Sequence, residues 1–260
     1  MPNAKEFLTD LARSLGFLSR LPVPARFFEG HDGSVSRAVR AFPAAGVLIA
    51  AGPALVLALL LQMDADPLLP VVVALTVLTI LTGALHEDGL ADAADGFGGG
   101  RDREHALSIM KDSRAGSYGV IALILSLALR TAALAALAEG KAALPALGLM
   151  AAAAISRGLM VWHWAALPSA RPNGVAVAAG RPAAASRTFA LTSAALLALL
   201  LLLPAVSPVP VLLAGALAAL AALGVTRLAT RKIGGHTGDT IGATQQASEI
   251  VFLASLALIA

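Results

Sequence analysis

Ala84-Leu-His-Glu-Asp-Gly-Leu-Ala-Asp-Ala-Ala-Asp-Gly-Phe-Gly-Gly-Gly-Arg101 follows directly on an apolar run, Leu68 to Leu85, that is long enough to be a membrane helix. Four acids, Glu87, Asp88, Asp92 and Asp95, fall within nine residues. If the helix of the apolar run continues, Asp88, Asp92 and Asp95 point in directions of about 0°, 40° and −20°, so all three share one face. Three carboxylates on one face repel unless something positive sits among them. A hard divalent cation answers that need, and Mg²⁺ is the usual choice where phosphate is present. The stretch closes in Gly98, Gly99 and Arg101, backbone and cation of the kind that approach phosphate. A solvated helix end capped by Gly96 is the competing reading. Ionisable groups at a membrane boundary are expensive and tend to serve function, which favours the metal.

The rest of the 260 residues supports a membrane setting. Hydrophobic residues make up 58% and charged residues 13%, and mean hydropathy is +0.80; a soluble domain is about 25% charged. The apolar runs are continuous rather than alternating, which predicts an all-α, polytopic membrane bundle. The chain has no cysteine, which excludes disulfides, thiolate metal sites and thiol nucleophiles. Charges run through residues 1–40, so no secretory signal is expected there.

Phe7, Leu8, Leu11, Leu15 and Leu18 share an arc, predicting an N-terminal helix that lies on the membrane surface or packs on the bundle. Leu21-Pro-Val-Pro24 ends it. Spans are then expected at roughly 44–61, 68–85, 119–137, 142–161, 189–203 and 209–225. A seventh would run from Thr240 to the end, with Asp239 as its N-cap. This gives six to seven transmembrane helices in one domain, residues 1–260. Within it, 1–43 form an amphipathic segment and connector, 44–260 form the bundle, and the working loops are 86–118, 162–188 and 226–249.

Seventeen of the 19 Lys and Arg lie in alternate connectors, with Lys141 on the other side and Arg130 inside a span. The positive-inside rule therefore puts the long polar loops in the cytoplasm. It also explains a pI near 9.8 without a nucleic-acid partner. Arg130 needs a partner, which a nearby acid or a lipid phosphate would supply.

Asp102 can cap a short helix after the acidic stretch. Beyond it, Lys111 and Arg114 are suited to phosphate oxygens, while Asp112 either joins a metal or orients Arg114. Near the C-terminus, Asp239, Gly242, Gln246 and Glu249 share one helix face that must look into the bundle. Asp239 is expected at the same membrane depth as Asp88–Asp95, suggesting one metal–diphosphate site. Arg171 is a further anion candidate. The Trp162–Trp164 pair reads as an interfacial belt, and His86, His105, His163 and His236 as hydrogen-bonding or packing groups. No Ser-His-Asp arrangement, nucleophile elbow, Walker A or dinucleotide fingerprint is present. The parts in hand are those of metal-assisted phosphoryl transfer.

His86-Glu-Asp-Gly-Leu-Ala-Asp-Ala-Ala-Asp-Gly96, Met110-Lys-Asp-Ser-Arg-Ala-Gly-Ser-Tyr-Gly119 and Gly234-Gly-His-Thr-Gly-Asp-Thr-Ile-Gly-Ala243 resemble the cobalamin synthase family, the adenosylcobinamide-GDP ribazoletransferases. Phe17–Pro24, Arg40–Gly46 and Ala170–Gly174 also fit, so the resemblance covers essentially the whole chain. It implies a multi-pass enzyme of the bacterial inner membrane, with its active site on the cytoplasmic face. The reaction implied is a late step of coenzyme B12 synthesis, nucleotide loop assembly. It joins adenosylcobinamide-GDP to α-ribazole or its 5′-phosphate, with Mg²⁺, and releases GMP. Asp88, Asp92, Asp95 and Asp239, with Asp112, would be metal ligands. Lys111, Arg114, Arg101 and Arg171 would hold the diphosphate, and Asp95 or another metal-bound carboxylate would take the hydroxyl proton. A hydrophobic residue is common in the family where Glu87 stands, so metal binding is not extended to it. The bilayer is a partner, and a homo-oligomer is compatible with this reading.

Two other classes compete. A CDP-alcohol phosphotransferase would want an Arg where Ala91–Ala94 stand, and an aspartate-rich prenyltransferase a second aspartate cluster. A cation transporter would place its acids mid-span within an inverted repeat, and none is evident.

Overall fold

Long apolar runs without water must satisfy every peptide group internally, and they do so here as helices. The computed structural model describes residues 4–30, 33–63, 66–140 and 143–260. Lys141, the lone lysine expected on the opposite face, and residues 64–65 of the short 62–67 loop lie outside them. Eleven α-helices occur in the described residues: α1 (Ala4–Leu18), α2 (Phe42–Leu61), α3 (Leu68–Thr82), α4 (Leu85–Gly99), α5 (Arg103–Ile109), α6 (Ser117–Ala138), α7 (Leu144–Ala166), α8 (Val175–Ala178), α9 (Ala184–Leu202), α10 (Pro208–Ile233) and α11 (Gly238–Ile259).

Five segments are long and apolar enough to cross a membrane: Ala38–Leu61, α6, α7, α9 and α10. A sixth arises if α3 and α4 together form one bent span. The fold is thus an all-helical, multi-pass membrane bundle. α7 is its axis, buried over 89% of its apolar window, against 28–39% for the other four. Ala151–Ala154 are fully buried, and such small residues let α2, α9 and α11 approach closely. Leu55, Ile124, Leu196, Leu200, Leu212 and Leu220 point outward, exposed as lipid-facing residues are.

Three expectations need correction. The helix of the 68–85 run does not continue into the acids. Gly83 and Ala84 both take left-handed backbone (φ 63° and 57°), and α4 leaves α3 at 89°. Residues 85–99 are therefore a helix of their own, not part of a loop. The N-cap of α11 is Thr237, not Asp239: Thr240 N donates to Thr237 Oγ1 (3.3 Å) and Thr237 N donates to Thr240 Oγ1 (3.0 Å). Arg157, grouped with the fourth connector, lies inside α7, which runs on to Ala166.

α1 docks on the bundle, but not through its leucine arc alone. Its most buried line is Asp10, Ser14 and Leu18. Arg40 holds the Asp10 carboxylate at 2.7 Å, and Ser14 donates to Ala38 O at 3.0 Å. Leu8 is exposed.

Candidate active site

The site forms where α4 crosses α11. Gly89 and Gly242 meet backbone to backbone: a Cβ added at Gly89 would stand 3.0 Å from Asp239 O and 3.2 Å from Gly242 Cα. Small residues at a crossing permit this approach. They bring Asp88 and Asp92 of α4 beside Asp239 of α11.

The crossing is locked from below by buried charge. Arg130 donates to Glu87 Oε1 (3.2 Å) and to Glu249 Oε1 (3.2 Å), and Arg157 lies 3.8 Å from Glu249 Oε2. Gln246 Nε2 also donates to Glu87 Oε1 (3.2 Å), and Gln245 Nε2 to Glu249 Oε2 (2.6 Å). Two acids and two guanidiniums balance, as buried charges must. The partner Arg130 required is thus a pair of glutamates, and the polar face of α11 does look into the bundle.

The carboxylates above remain short of positive charge. Burial, with Asp88, Asp239 and Asp95 nearby, pushes the Asp92 carboxyl up to about 6. Burial also raises Asp239, against the pull of Arg171 and the hydroxyl of Thr237, which donates to Asp239 Oδ2 at 3.0 Å. Arg171, 3.5 Å from Asp239 Oδ2, is the cation beside this pair. His86 and His236 add none: burial holds both below the usual imidazole range, His86 further depressed by Arg157 and Arg130, and His236 lowered to about 4 with help from Arg181.

Arg171 is aimed by a small device. Ala170 N donates to His236 O and His236 N to Pro168 O, both at 2.8 Å, zipping the 168–170 segment to the turn before α11. Arg103 reinforces it by donating to Ala170 O (2.6 Å) and Ile233 O (2.9 Å). A side chain at Gly235 would strike Pro168 O.

Not every expected residue joins. Asp95 is buried and accepts from Gly116 N (2.7 Å) and Gly119 N (2.8 Å), so it caps α6. Both of its oxygens are engaged by helix N–H groups, which opposes the role of proton acceptor. Side chains at Gly116 or Gly119 would collide with it. Asp112 grips Arg114 (2.6 and 3.0 Å) at the surface, and that contact lowers its carboxyl to about 2. Lys111 and Arg101 are exposed. Gly98 and Gly99 sit within α4 rather than in a phosphate loop; Gly98 packs against the Tyr118 ring, leaving no room for a Cβ. Asp102 caps α5 as expected, accepting from His105 N at 2.8 Å.

The reading of Trp164 as a belt residue is also corrected. It is 1% exposed and, with Phe17, Met160 and Ile241, walls a cavity of about 280 Å³ that opens beside Asp88, Asp239 and Arg171. A Trp four residues from a proline gave no signal of that.

Whether Mg²⁺ suits this cleft can be judged from the donors. Among the described residues no three His, Asp or Glu side chains stand as a preformed metal cluster. Asp88, Asp92 and Asp239 nevertheless offer hard oxygens in mutual repulsion. Mg²⁺ sites commonly use one or two carboxylates and complete the shell with substrate phosphate and water. The residues fit the ion on that basis.

The family model described as cobalamin-5-phosphate synthase matches residues 10–257. The chain belongs to that family. Its relatives agree along the whole length. A protein of Sinorhizobium medicae is 54% identical, covering 99% of each chain. One of Rhizobium etli is 53% identical over 97% of this chain and 98% of its own. One of Azorhizobium caulinodans is 44% identical over 95% and 94%. All three are named adenosylcobinamide-GDP ribazoletransferase. No solved structure matches. In this cobalamin-5-phosphate synthase family member, the features that sequence reasoning missed are Gly89 and Gly242 as a crossing point and Trp164 as a cavity wall. The glycine of each Asp-Gly or Ile-Gly pair was the available signal.

Proposed function

We propose that the protein is the transferase that joins adenosylcobinamide-GDP to α-ribazole, or its 5′-phosphate, and releases GMP, at the cleft between α4 and α11. The observation that carries this is the convergence of Asp88, Asp239 and Arg171 at one cavity, with Asp92 close enough to feel the charge of all three. The shared name of the relatives supports the substrate pair.

A ribose hydroxyl of the ribazole attacks the phosphorus on the cobinamide side. A new P–O bond forms, the bond to the GMP oxygen breaks, and GMP leaves with the electron pair. The chain has to remove one proton and place two anions. Asp92 is the acceptor for the hydroxyl proton; its carboxyl, without a cation beside it, lies at about 6. Arg171 is held to face the diphosphate, and exposed Lys111 and Arg114 stand on the next connector to meet its outer phosphate. Mg²⁺, when bound among Asp88, Asp92 and Asp239, would neutralise the diphosphate and the developing charge on GMP. The basic connectors support a cytoplasmic active site in the bacterial inner membrane.

The test is GMP release by the purified protein from adenosylcobinamide-GDP and α-ribazole with Mg²⁺. Release that falls on the order of a hundredfold or more in Asp92→Asn supports the reading, given the usual worth of a positioned base. No release by a well-folded parent sinks it.

A further inference from the structure

The cavity beside the carboxylates has two kinds of wall. Asp88, Asp239 and Arg171 make its charged part; Phe17, Met160, Trp164 and Ile241 make its apolar part. The Phe17 and Trp164 rings lie 22° from parallel with centroids 6.5 Å apart. Trp164 is 1% exposed and His86 2% exposed, yet Trp164 Nε1 and His86 Nε2 have no hydrogen-bond partner. A buried N–H without an acceptor is costly, and such an atom in a cavity wall is explained by a ligand that supplies the acceptor.

We propose that the apolar part receives the aromatic base of the acceptor nucleoside, leaving its ribose at Asp88 and Asp239. This rests on the reaction proposed above. The occupant follows from its chemistry. The benzimidazole base of α-ribazole is a flat bicycle, all carbon at its edges except one acceptor nitrogen, and it matches aromatic walls with one or two unpaired N–H groups. Guanine carries an amide edge and an amino group, polar atoms that Phe17, Met160 and Ile241 cannot partner. A lipid chain would leave the indole N–H unsatisfied. The corrin macrocycle is far too large for about 280 Å³ and stays outside.

Gly238 lines the same cavity, and a Cβ there meets nothing within 4 Å, so Gly238→Leu adds side-chain volume at the cavity wall. Initial rates of GMP release would be measured for the parent, Gly238→Leu and Trp164→Leu while each substrate is varied in turn. Loss of base stacking is expected to raise KM for α-ribazole about tenfold or more, with KM for adenosylcobinamide-GDP within about twofold. In parallel, Trp162→Phe makes Trp164 the sole tryptophan, and α-ribazole alone should quench its emission saturably. A parent that releases no GMP condemns the reaction itself. A parent that does, with variants whose KM rises for adenosylcobinamide-GDP instead, assigns the cavity to the nucleotide and overturns the proposal. Unchanged KM for both substrates in Gly238→Leu, with no quenching, overturns it too.

Discussion

Glu87 and Arg130, 43 positions apart, are joined by a 3.2 Å ion pair that lies inside the bundle, with both side chains at least nine-tenths buried. Glu249 shares the same guanidinium. Without the Arg130 guanidinium, Arg157 still faces Glu249, but Glu87 keeps no cation and one net negative charge is left buried. Arg130→Met should therefore cost about 3–5 kcal/mol, read as a large drop in thermal midpoint in detergent. Combining it with Glu87→Gln should recover much of the loss, because Arg157 and Glu249 then balance and no net charge is left buried.

The acid limb of the pH–rate profile should report Asp92. Its carboxyl is raised from the usual range to about 6, and it must be ionised both to accept a proton and to hold a cation. Activity should thus fall as pH drops through about 6. Raising Mg²⁺ should move that limb to lower pH, since metal and proton compete for the same oxygens. Chelation should abolish GMP release, and added Mg²⁺ should restore it. A limb indifferent to Mg²⁺ would contradict a carboxylate-bound ion.

Asp92 and Asp95, one helical turn apart, should respond oppositely to loss of the carboxylate. A carboxyl whose pKa is raised by folding stabilises the fold below its unfolded value near 3.8 and loses that contribution as pH rises through about 6. Asp92→Asn removes the repulsion, so it should raise metal-free stability at pH 7–8 while weakening Mg²⁺ binding. Asp95→Ala uncaps α6 and should cost about 1–2 kcal/mol at the same pH. Thermal unfolding with and without Mg²⁺ separates the two.

The glycine crossing should be the most sensitive point outside the charged groups. Gly89→Val forces α4 from α11, and displacement on the order of 1 Å can cost about a hundredfold in rate. Gly224→Ala, where a Cβ meets nothing within 4 Å, is the matched control and should leave GMP release unchanged.

Much of this was legible in the chain. Apolar runs gave the spans because burial in lipid leaves little choice but helix. Asp239, Gln246 and Glu249 were placed on an inward face because polar groups cannot face acyl chains. The spacing of Asp88 and Asp92 put them together because 3.6 residues make a turn. What stayed hidden depended on contacts distant in sequence. Asp95 looked identical to its neighbours until Gly116 and Gly119 claimed it. Asp112 was one residue from either of two roles, and its pairing with Arg114 is a local competition that spacing does not decide. Trp164 read as a surface anchor because nothing near it in sequence announces Phe17 across the cavity.

The 89° bend at Gly83–Ala84 has a consequence for how this bundle tolerates change. In a straight rod, each residue gained or lost within a span would swing the acids by about 100° and shift them by about 1.5 Å. The bend resets that phase. α4 takes its orientation from α6 and α11, through Asp95 and the Gly89–Gly242 contact, so α3 is free to lengthen or shorten with the thickness of its bilayer while the carboxylates keep their aim.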